Sequence, residues 1–300
     1  SILTTDFKVN ISPLFFTFDN KNLYVSSNRN RDKSAIFEFD VNNAKESKLI
    51  FEHDEVDASG LMYSRKRKVL TGVSYTVAKR DMVFFDSWRE NIQNILESKF
   101  PEDEVGITSF SKDETKAVVV TYSDKSRGSY YYYDVETNVL TGLGEVSPWL
   151  NKDHMAEMEP IQYKSRDGLT IHGYLTLPKG SSGKNLPVVV NPHGGPWARD
   201  MWGFDPEVQF LAAEGFNVIQ NNIRGSSGYG LKHMKEVYGN FDTVLEDMFD
   251  SLDFFDDKGL IDKSNVCIYG GSYGGYASTQ APMMRPDLFK CAVSEAGLYD

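Results

Sequence analysis

Residues 268–277 read Ile268-Tyr269-Gly270-Gly271-Ser272-Tyr273-Gly274-Gly275-Tyr276-Ala277. They contain a G-x-S-x-G box, with an apolar run before it and small residues suited to a closely packed helix after it. This order of strand, serine turn and helix indicates a nucleophile elbow, in which the serine hydroxyl projects from a sharp turn. Glycine is expected at positions 270 and 274 because a Cβ there would clash across the turn. The competing interpretation is a glycine-rich turn that holds an ordinary serine.

Strands alternate with helices from residue 160 onward. We predict strands at 161–164, 169–177, 187–191, 216–220, 265–269 and 291–295. Asp205-Pro206 predicts a helix with a cap and a first-turn proline. Leu245, Met248, Leu252 and Phe255 recur at helical spacing. This alternation predicts an α/β-hydrolase fold, with a mostly parallel sheet and helices on both of its faces.

A second glycine loop follows the predicted strand at 187–191 and reads Asn191-Pro192-His193-Gly194-Gly195-Pro196. Hydrolases of this fold place the loop of their oxyanion hole after that strand. We therefore predict that the backbone N–H groups of Gly195 and Tyr273 are the two oxyanion donors. For Gly195 the alternative interpretation is a simple tight turn.

The general base and its acid are not recognised in this chain. All five histidines precede Ser272, whereas this fold places both groups after the serine, and the sequence ends 28 residues later. We expect the triad Asp and His outside these residues and interpret His193 as a brace for the oxyanion loop. Arg224 follows the strand at 216–220 and is expected at the same edge of the sheet. It could orient substrate, but we favour a buried ion pair with Glu246 or Asp247.

The first half of the chain has a β-strand rhythm and an internal repeat. Three segments, starting at Phe18, Tyr63 and Phe110, each read aromatic residue, polar turn and apolar strand. A second strand in each unit is followed by Asp40, Asp86 or Asp134, and these aspartates are 46 and 48 residues apart.

A repeat of this length with several short strands per unit is typical of propeller blades. We predict a partial β-propeller of about three blades over 1–155 and the N-terminal part of the hydrolase domain over 156–300. Because propellers close with about four to eight blades, we expect the chain to be a fragment of a longer protein. A short amphipathic helix is predicted at 89–98. The Tyr130–Tyr133 run is read as alternating strand faces rather than as a stacking platform.

Composition excludes several classes of protein. The formal net charge of −11 argues against binding to nucleic acid or to an anionic membrane. Arg65-Lys66-Arg67-Lys68 is read as a solvated hairpin turn, with a polyanion patch as the alternative. Cys267 and Cys291 are expected to be small buried thiols.

Neither metal-ligand spacing nor a cofactor motif is present, and no apolar run reaches the ~18 residues of a membrane span. We expect a cytoplasmic protein, or a periplasmic one if a signal peptide was removed. Homo-oligomerisation is left open.

These motifs together resemble the prolyl oligopeptidase family of serine peptidases, nearest its acylaminoacyl-peptidase branch. The likeness rests on four segments, which are 165–168 leading into 175–178, 193–196, 222–230 and 270–275. The resemblance implies a hydrolase domain capped by a propeller that screens short peptides by size. It implies Ser272 as the nucleophile, with Tyr273 and Gly195 as the oxyanion donors.

Cleavage of an acylated residue or of a dipeptide from the peptide N-terminus is also implied by the resemblance. Whether the substrate's N-terminus is blocked or free stays open, because carboxylates that bind a free amine are not identified in the propeller half. Two other functions are weighed against the peptidase. One is an esterase on the same fold, and the other is a catalytically silent binding protein.

Overall fold

The computed structural model describes residues 4–5 and 8–299, with the exception of the Asp242 side chain. The chain separates into two compact units. The first unit comprises the chain up to Ser123 together with Arg127–Pro148 and Gly228–Lys232. The second comprises Asp124–Ser126, Trp149–Ser227 and His233 onward.

The first unit is built from three small antiparallel sheets. The first sheet contains β1 (Ile11–Phe16), β2 (Leu23–Ser27), β3 (Ala35–Asp40) and β4 (Lys45–Phe51). The second contains β5 (Ala58–Ser64), β6 (Val69–Thr76) and β7 (Arg80–Phe84). Helix α1 (Ser87–Lys99) follows, and the third sheet contains β8 (Glu104–Phe110), β9 (Lys116–Ser123), β10 (Ser126–Asp134) and β11 (Val139–Glu145). In each sheet, strands that are consecutive in sequence lie side by side, so the repeat of the sequence is also a repeat of structure.

The three repeated aspartates cap the turn or helix that follows each strand. Asp40 accepts from the backbone N–H groups of the two residues at 42 and 43, at 2.9 and 3.0 Å. Asp134 accepts from those at 136 and 137, at 3.1 and 3.0 Å. Asp86 caps α1 by accepting from Arg89 N–H at 2.9 Å. A short carboxylate at or just after the end of each strand therefore satisfies backbone donors of the turn or helix that follows.

Helix α1 confirms the prediction at 89–98. Its Ile92 and Leu96 are buried against Val105, Val119 and Tyr133 of the third sheet. The tyrosine run also alternates as predicted, since Tyr133 is buried while Tyr130 and Tyr132 are exposed.

The second unit contains one six-stranded sheet. Its strands are β12 (Met158–Lys164), β13 (Thr170–Thr176), β14 (Val188–Val190), β15 (Asn217–Asn222), β16 (Val266–Gly271) and β17 (Phe289–Glu295). Its helices are α2 (Pro206–Ala213), α4 (Phe241–Asp257) and α5 (Tyr273–Met284). The short helix α3 (Gly230–Lys235) begins in the segment that belongs to the first unit and ends in the second. The strand order is β12-β13-β15-β14-β16-β17. The β12–β13 and β13–β15 pairs are antiparallel, and the other three pairs are parallel.

Helices cover both faces of this sheet. Adjacent residues of a strand point to opposite faces of the sheet, so the contacts of Tyr174 and Leu175 show which helices cover each face. Tyr174 packs in a cluster with Val208 of α2. Leu175 packs in the larger core with residues of α4 and α5. Helix α2 therefore lies on one face, and α4 and α5 lie on the other.

The predicted helix signals are present. Asp205 caps α2 by accepting from the backbone N–H groups of residues 207 and 208, with Pro206 in the first turn. The predicted apolar face of α4 (Leu245, Met248, Leu252 and Phe255) is almost fully buried. Burial of each such side chain contributes about 1.5–3 kcal/mol, so this face anchors α4 to the sheet. No described helix is both long and apolar enough to cross a membrane.

The expectation of two buried thiols is wrong. Cys267 and Cys291 are register partners on the neighbouring strands β16 and β17 and form a disulfide, with their Cα atoms 4.7 Å apart. That separation lies within the range that disulfides require. Cys291 is exposed on β17, which is the last strand in the order of the described sheet. Sequence spacing alone does not reveal which strands become neighbours.

Candidate active site

Ser272 lies at the turn between β16 and α5 in a conformation that non-glycine residues rarely adopt. Its φ is 56° and its ψ is −116°, and the residue is exposed. Such a backbone costs about 1–3 kcal/mol and persists only where the surroundings impose it. Here the Ser272 N–H donates to Glu295 O on β17 at 2.9 Å, and Ser272 O accepts from Tyr276 N–H at 3.0 Å. The turn is therefore fixed from both sides while the side chain stays accessible.

Steric crowding explains why glycines lie on both sides of Ser272. A Cβ built at Gly270 would lie 2.7 Å from the Pro192 carbonyl oxygen, and one at Gly274 would lie 2.1 Å from the same atom. Both distances are well inside van der Waals contact, so the second glycine loop approaches the serine turn only because these side chains are absent.

The loop at 191–196 lies against the serine turn. Asn191 Nδ2 donates to Tyr269 O at 2.8 Å, which ties the start of the loop to β16. A Cβ built at Gly194 would be 3.5 Å from the Cβ of Ser272. Gly195 has a φ of 133°, a conformation that favours glycine. The two predicted oxyanion residues, Gly195 and Tyr273, therefore lie in segments that flank the serine.

His193 forms two hydrogen bonds that define its role. Its Nδ1 lies 2.6 Å from Gly194 O and its Nε2 lies 2.9 Å from Ser226 Oγ. Because a carbonyl only accepts, Nδ1 carries the proton and donates, and in the neutral ring Nε2 accepts from the Ser226 hydroxyl. Burial lowers the pKa of His193, which keeps the ring neutral near pH 7.

This arrangement also orients a peptide group. The Gly194–Gly195 peptide is trans, so its N–H points opposite to its C=O. Since the His193 ring holds Gly194 O, the N–H of Gly195 points away from the imidazole and is left for another acceptor. Tyr273 is the first residue of α5, where helix N–H groups have no partner within the helix.

Arg224 is buried in a network of carboxylates. Its backbone N–H and its guanidinium both contact Asp247, with Nη2 to Oδ1 at 2.8 Å. Its Nη1 also donates to Asp167 at 2.8 Å. The Asp247 side chain is fully buried and that of Asp167 is about half exposed. Hydrogen bonds from Arg224 and Ser165 hold the pKa of Asp167 well below its usual range.

Arg224 forms the buried ion pair that was predicted, with one of the two carboxylates that the sequence analysis proposed. Asp247 binds it, whereas Glu246 pairs with Arg166 at 2.6 Å. Asp167, Ser165 and the Ser226 partner of His193 were missed. The Ser165-Arg166-Asp167-Gly168 segment could have indicated the first two of these residues, because serine and aspartate are typical of turns. In the structure Ser165 Oγ donates to Asp167 in this turn at 2.6 Å.

No described histidine or carboxylate hydrogen-bonds to the Ser272 hydroxyl. His193 is directed to Ser226 instead, so it is not placed as the base by these contacts. Within residues 4–5 and 8–299, no three His, Cys, Asp or Glu side chains are grouped to hold a metal ion.

Residues 202–300 match the Prolyl oligopeptidase family. Dipeptidyl aminopeptidase BIII of Pseudoxanthomonas mexicana is 31% identical over 95% of this chain and 42% of its own length. Acylamino-acid-releasing enzyme 1 of Oryza sativa subsp. japonica is 35% identical over 36% of this chain and 14% of its own length. A crystal structure of puromycin hydrolase superposes with a TM-score of 0.76 and 20% identity, over 97% of this chain and 45% of that one.

The last of these similarities shows the fold alone, whereas the first three rest on sequence. The chain spans 42% of the length of the dipeptidyl aminopeptidase and less of the rice enzyme. The matched region contains β15, β16 and α5 with the serine turn. Residues 202–300 of this chain, which include the serine turn, are therefore similar to the prolyl oligopeptidase family.

Proposed function

We propose that the protein containing this chain is a serine peptidase that removes an acyl-aminoacyl or dipeptidyl unit from the N-terminus of short peptides. The observation that carries the proposal is the exposed Ser272 on a strained turn, directly beside the Gly194–Gly195 loop. The named relatives include a dipeptidyl aminopeptidase and an acylamino-acid-releasing enzyme, which supports both bond types.

The proposed chemistry is acyl transfer. Ser272 Oγ attacks the scissile carbonyl as a base takes its proton, and the carbonyl oxygen becomes an oxyanion. The N–H groups of Gly195 and Tyr273 receive that charge, and each such donor stabilises the transition state by about 2.7–4 kcal/mol. The amine then leaves with a proton, and water hydrolyses the acyl-enzyme. The base and its acid are proposed to come from beyond residues 1–300, because every histidine precedes Ser272.

We further infer that the three small sheets are propeller blades. Their antiparallel order and the 46- and 48-residue repeat support this interpretation. A propeller domain favours a peptidase over an esterase on the same fold, because a plain esterase needs no such domain.

The experiment uses the complete protein that contains this chain. Hydrolysis of an N-acetyl-aminoacyl anilide, a free dipeptidyl anilide and a simple acyl ester is compared for the wild type, for Ser272→Ala and for Ser264→Ala. Ser264 is an exposed serine just before β16 and serves as the matched control. We expect Ser272→Ala to lower kcat by at least about a thousandfold and Ser264→Ala to leave it unchanged.

The pattern of substrates decides between the alternatives. Turnover of an anilide supports the peptidase and shows whether the N-terminus is blocked or free. If only the ester is hydrolysed, the proposed peptidase activity is wrong and the esterase on the same fold takes its place as the proposed function. Full activity in Ser272→Ala, or none in the wild type on any substrate, would refute the serine mechanism.

We also propose that the protein acts in an oxidising compartment such as the periplasm. The Cys267–Cys291 disulfide supports this, because disulfides persist there and are rare in the cytoplasm. The cytoplasmic alternative favours two free thiols at these positions, because the cytoplasm keeps most thiols reduced.

A further inference from the structure

A cationic cavity lies in the first unit. It is open, has a volume of about 730 Å³ and is lined by β5 and β8 with the turns that follow them. Its lining includes five cationic side chains, those of Arg65, Lys66, Arg67, Arg89 and Lys112, and one carboxylate, Glu114. The whole chain has a formal charge of −11, so this concentration of positive charge is local. The volume is in the range of small-molecule sites.

Arg67 is held rigidly at this cavity. Its Nη1 donates to Asp86 at 2.6 Å and its Nε donates to Glu114 at 3.0 Å. Its guanidinium carbon lies 4.5 Å from the centre of the Trp88 ring. The remaining nitrogen, Nη2, is buried and has no hydrogen-bond partner among the described residues. A fixed guanidinium therefore keeps an unused donor, which is costly unless an acceptor is supplied.

Arg89 is a second buried cation in the same lining. The residue is 5% exposed, and its Nη1 and Nη2 both donate to the single oxygen Gln93 Oε1 at 3.0 Å. No carboxylate lies within ion-pair distance of it in the described part of the chain. Burial, followed by the nearby charge of Arg80, lowers the pKa of Arg89 to about 10, so it stays charged at pH 7.

A buried guanidinium without an ion-pair partner is unfavourable, and the more distant carboxylates of Glu97 and Asp86 and the aromatic faces offset only part of that cost. Phe84 and Phe110 lie 5.3 and 6.0 Å from the Arg89 guanidinium. An anion in the cavity would offset this charge and would lie beside Arg67, whose side chain is 29% exposed. Planar guanidinium groups suit carboxylate and phosphate oxygens in particular.

We propose that this cavity binds a small multivalent anion bearing carboxylate or phosphate groups, with Arg67 and Arg89 as its recognition residues. Arg65 and Lys112 are exposed at the cavity and add long-range attraction. The Arg65–Lys68 turn is thus more than a solvated hairpin. The same oxygen chemistry is carried by a free anion and by an acidic peptide, and the test separates these two sources.

The test is calorimetric titration of the complete protein at low salt with pyrophosphate and with citrate as probes. We expect saturable binding at one site that weakens as salt is added. Arg89→Gln should weaken it at least tenfold, with folding checked by thermal unfolding. The double variant Arg65→Glu/Lys112→Glu should also weaken it at least tenfold, and because both side chains are exposed it keeps the test valid if Arg89→Gln does not fold. Lys21→Ala, an exposed lysine in another turn, is the matched control and should bind as the wild type does.

The outcomes are distinct. Absence of saturable binding by either probe at millimolar concentration, or equal weakening by Lys21→Ala, would overturn the proposal. Binding by the double variant at wild-type affinity would do the same. Competition by triglutamate would assign the site to acidic peptides, and failure of triglutamate to compete would assign it to free anions. Binding is measured without turnover, so the result is independent of the proposed peptidase activity.

Discussion

At residue 272 the backbone conformation determines where the reactive hydroxyl points. The left-handed conformation of Ser272 turns its hydroxyl outward, and the neighbouring glycines let the Pro192 carbonyl pack against the turn. A Cβ at position 274 would fall 2.1 Å from that carbonyl oxygen, so the loop that carries Gly195 would have to move. The local sequence thereby fixes the distance between the nucleophile and the oxyanion loop.

Ser226 is expected to act through His193. In Ser226→Ala the imidazole loses the donor to Nε2, so the ring and the Gly194–Gly195 peptide are held less firmly. We expect kcat to fall about tenfold, which corresponds to the ~1.4 kcal/mol typical of one hydrogen bond, with little change in KM. The control is Ser227→Ala, because this adjacent serine does not bond to His193. Equal losses in both variants would show that the effect is not transmitted through the imidazole.

Asp200 is expected to make stability depend on pH. Its Oδ2 is buried without a partner, and burial together with the nearby Asp205 raises its pKa to about 7. The folded state therefore keeps a proton that the unfolded state releases near pH 4, and this stabilising contribution is lost as pH rises to about 7. Asp200→Asn should raise the melting temperature by at least ~2 °C more at pH 8 than at pH 5.

The control for this pH effect is Asp257→Asn, at the exposed end of α4. It should shift the melting temperature equally at both pH values. A pH-independent response of Asp200→Asn would mean that the Asp200 carboxyl ionises normally in the folded protein.

Among the elements, Arg224 joins three that are far apart in sequence. It follows β15, Asp247 lies in α4, and Asp167 follows β12. Asp247→Asn would leave the buried guanidinium without its main counterion, and we expect a loss of about 3–5 kcal/mol in the free energy of unfolding. Asp167→Asn should lose about 1 kcal/mol, because that carboxylate is half exposed. Urea denaturation measures the free energy of unfolding of both variants. Equal losses would contradict the expectation that Asp247 contributes more to stability than Asp167.

Across the whole molecule, the disulfide gives a direct chemical test. After alkylation of the unfolded protein, peptide mapping should find Cys267 and Cys291 unlabelled without a reductant and both labelled after reduction. Reduction should lower the free energy of unfolding by about 3 kcal/mol, given a loop of 24 residues. Cys267→Ser/Cys291→Ser should not respond to the reductant. Labelling of both Cys267 and Cys291 without a reductant would restore the interpretation of free thiols and the cytoplasmic alternative.

Much of the architecture could be predicted because its signals are local. The cap of α2, the apolar face of α4, the glycines around Ser272 and the aspartate that ends each strand repeat all act within a few residues. Their physical causes, which are unsatisfied helix donors, helical periodicity and close backbone approach, are visible in a sequence read alone.

The remaining features depend on which segments meet in three dimensions. Strand order brought Cys267 beside Cys291, and the fold selected Asp247 rather than Glu246 for Arg224 while adding the distant Asp167. It also placed Ser226 against His193 and gathered five cations around one cavity. The sequence by itself determined the serine turn, the glycine loop and the type of each main element, because those are short-range steric and hydrogen-bonding constraints. Only tertiary structure decided the pairing of cysteines and charges, because such pairing depends on the register and proximity of segments that are distant along the chain.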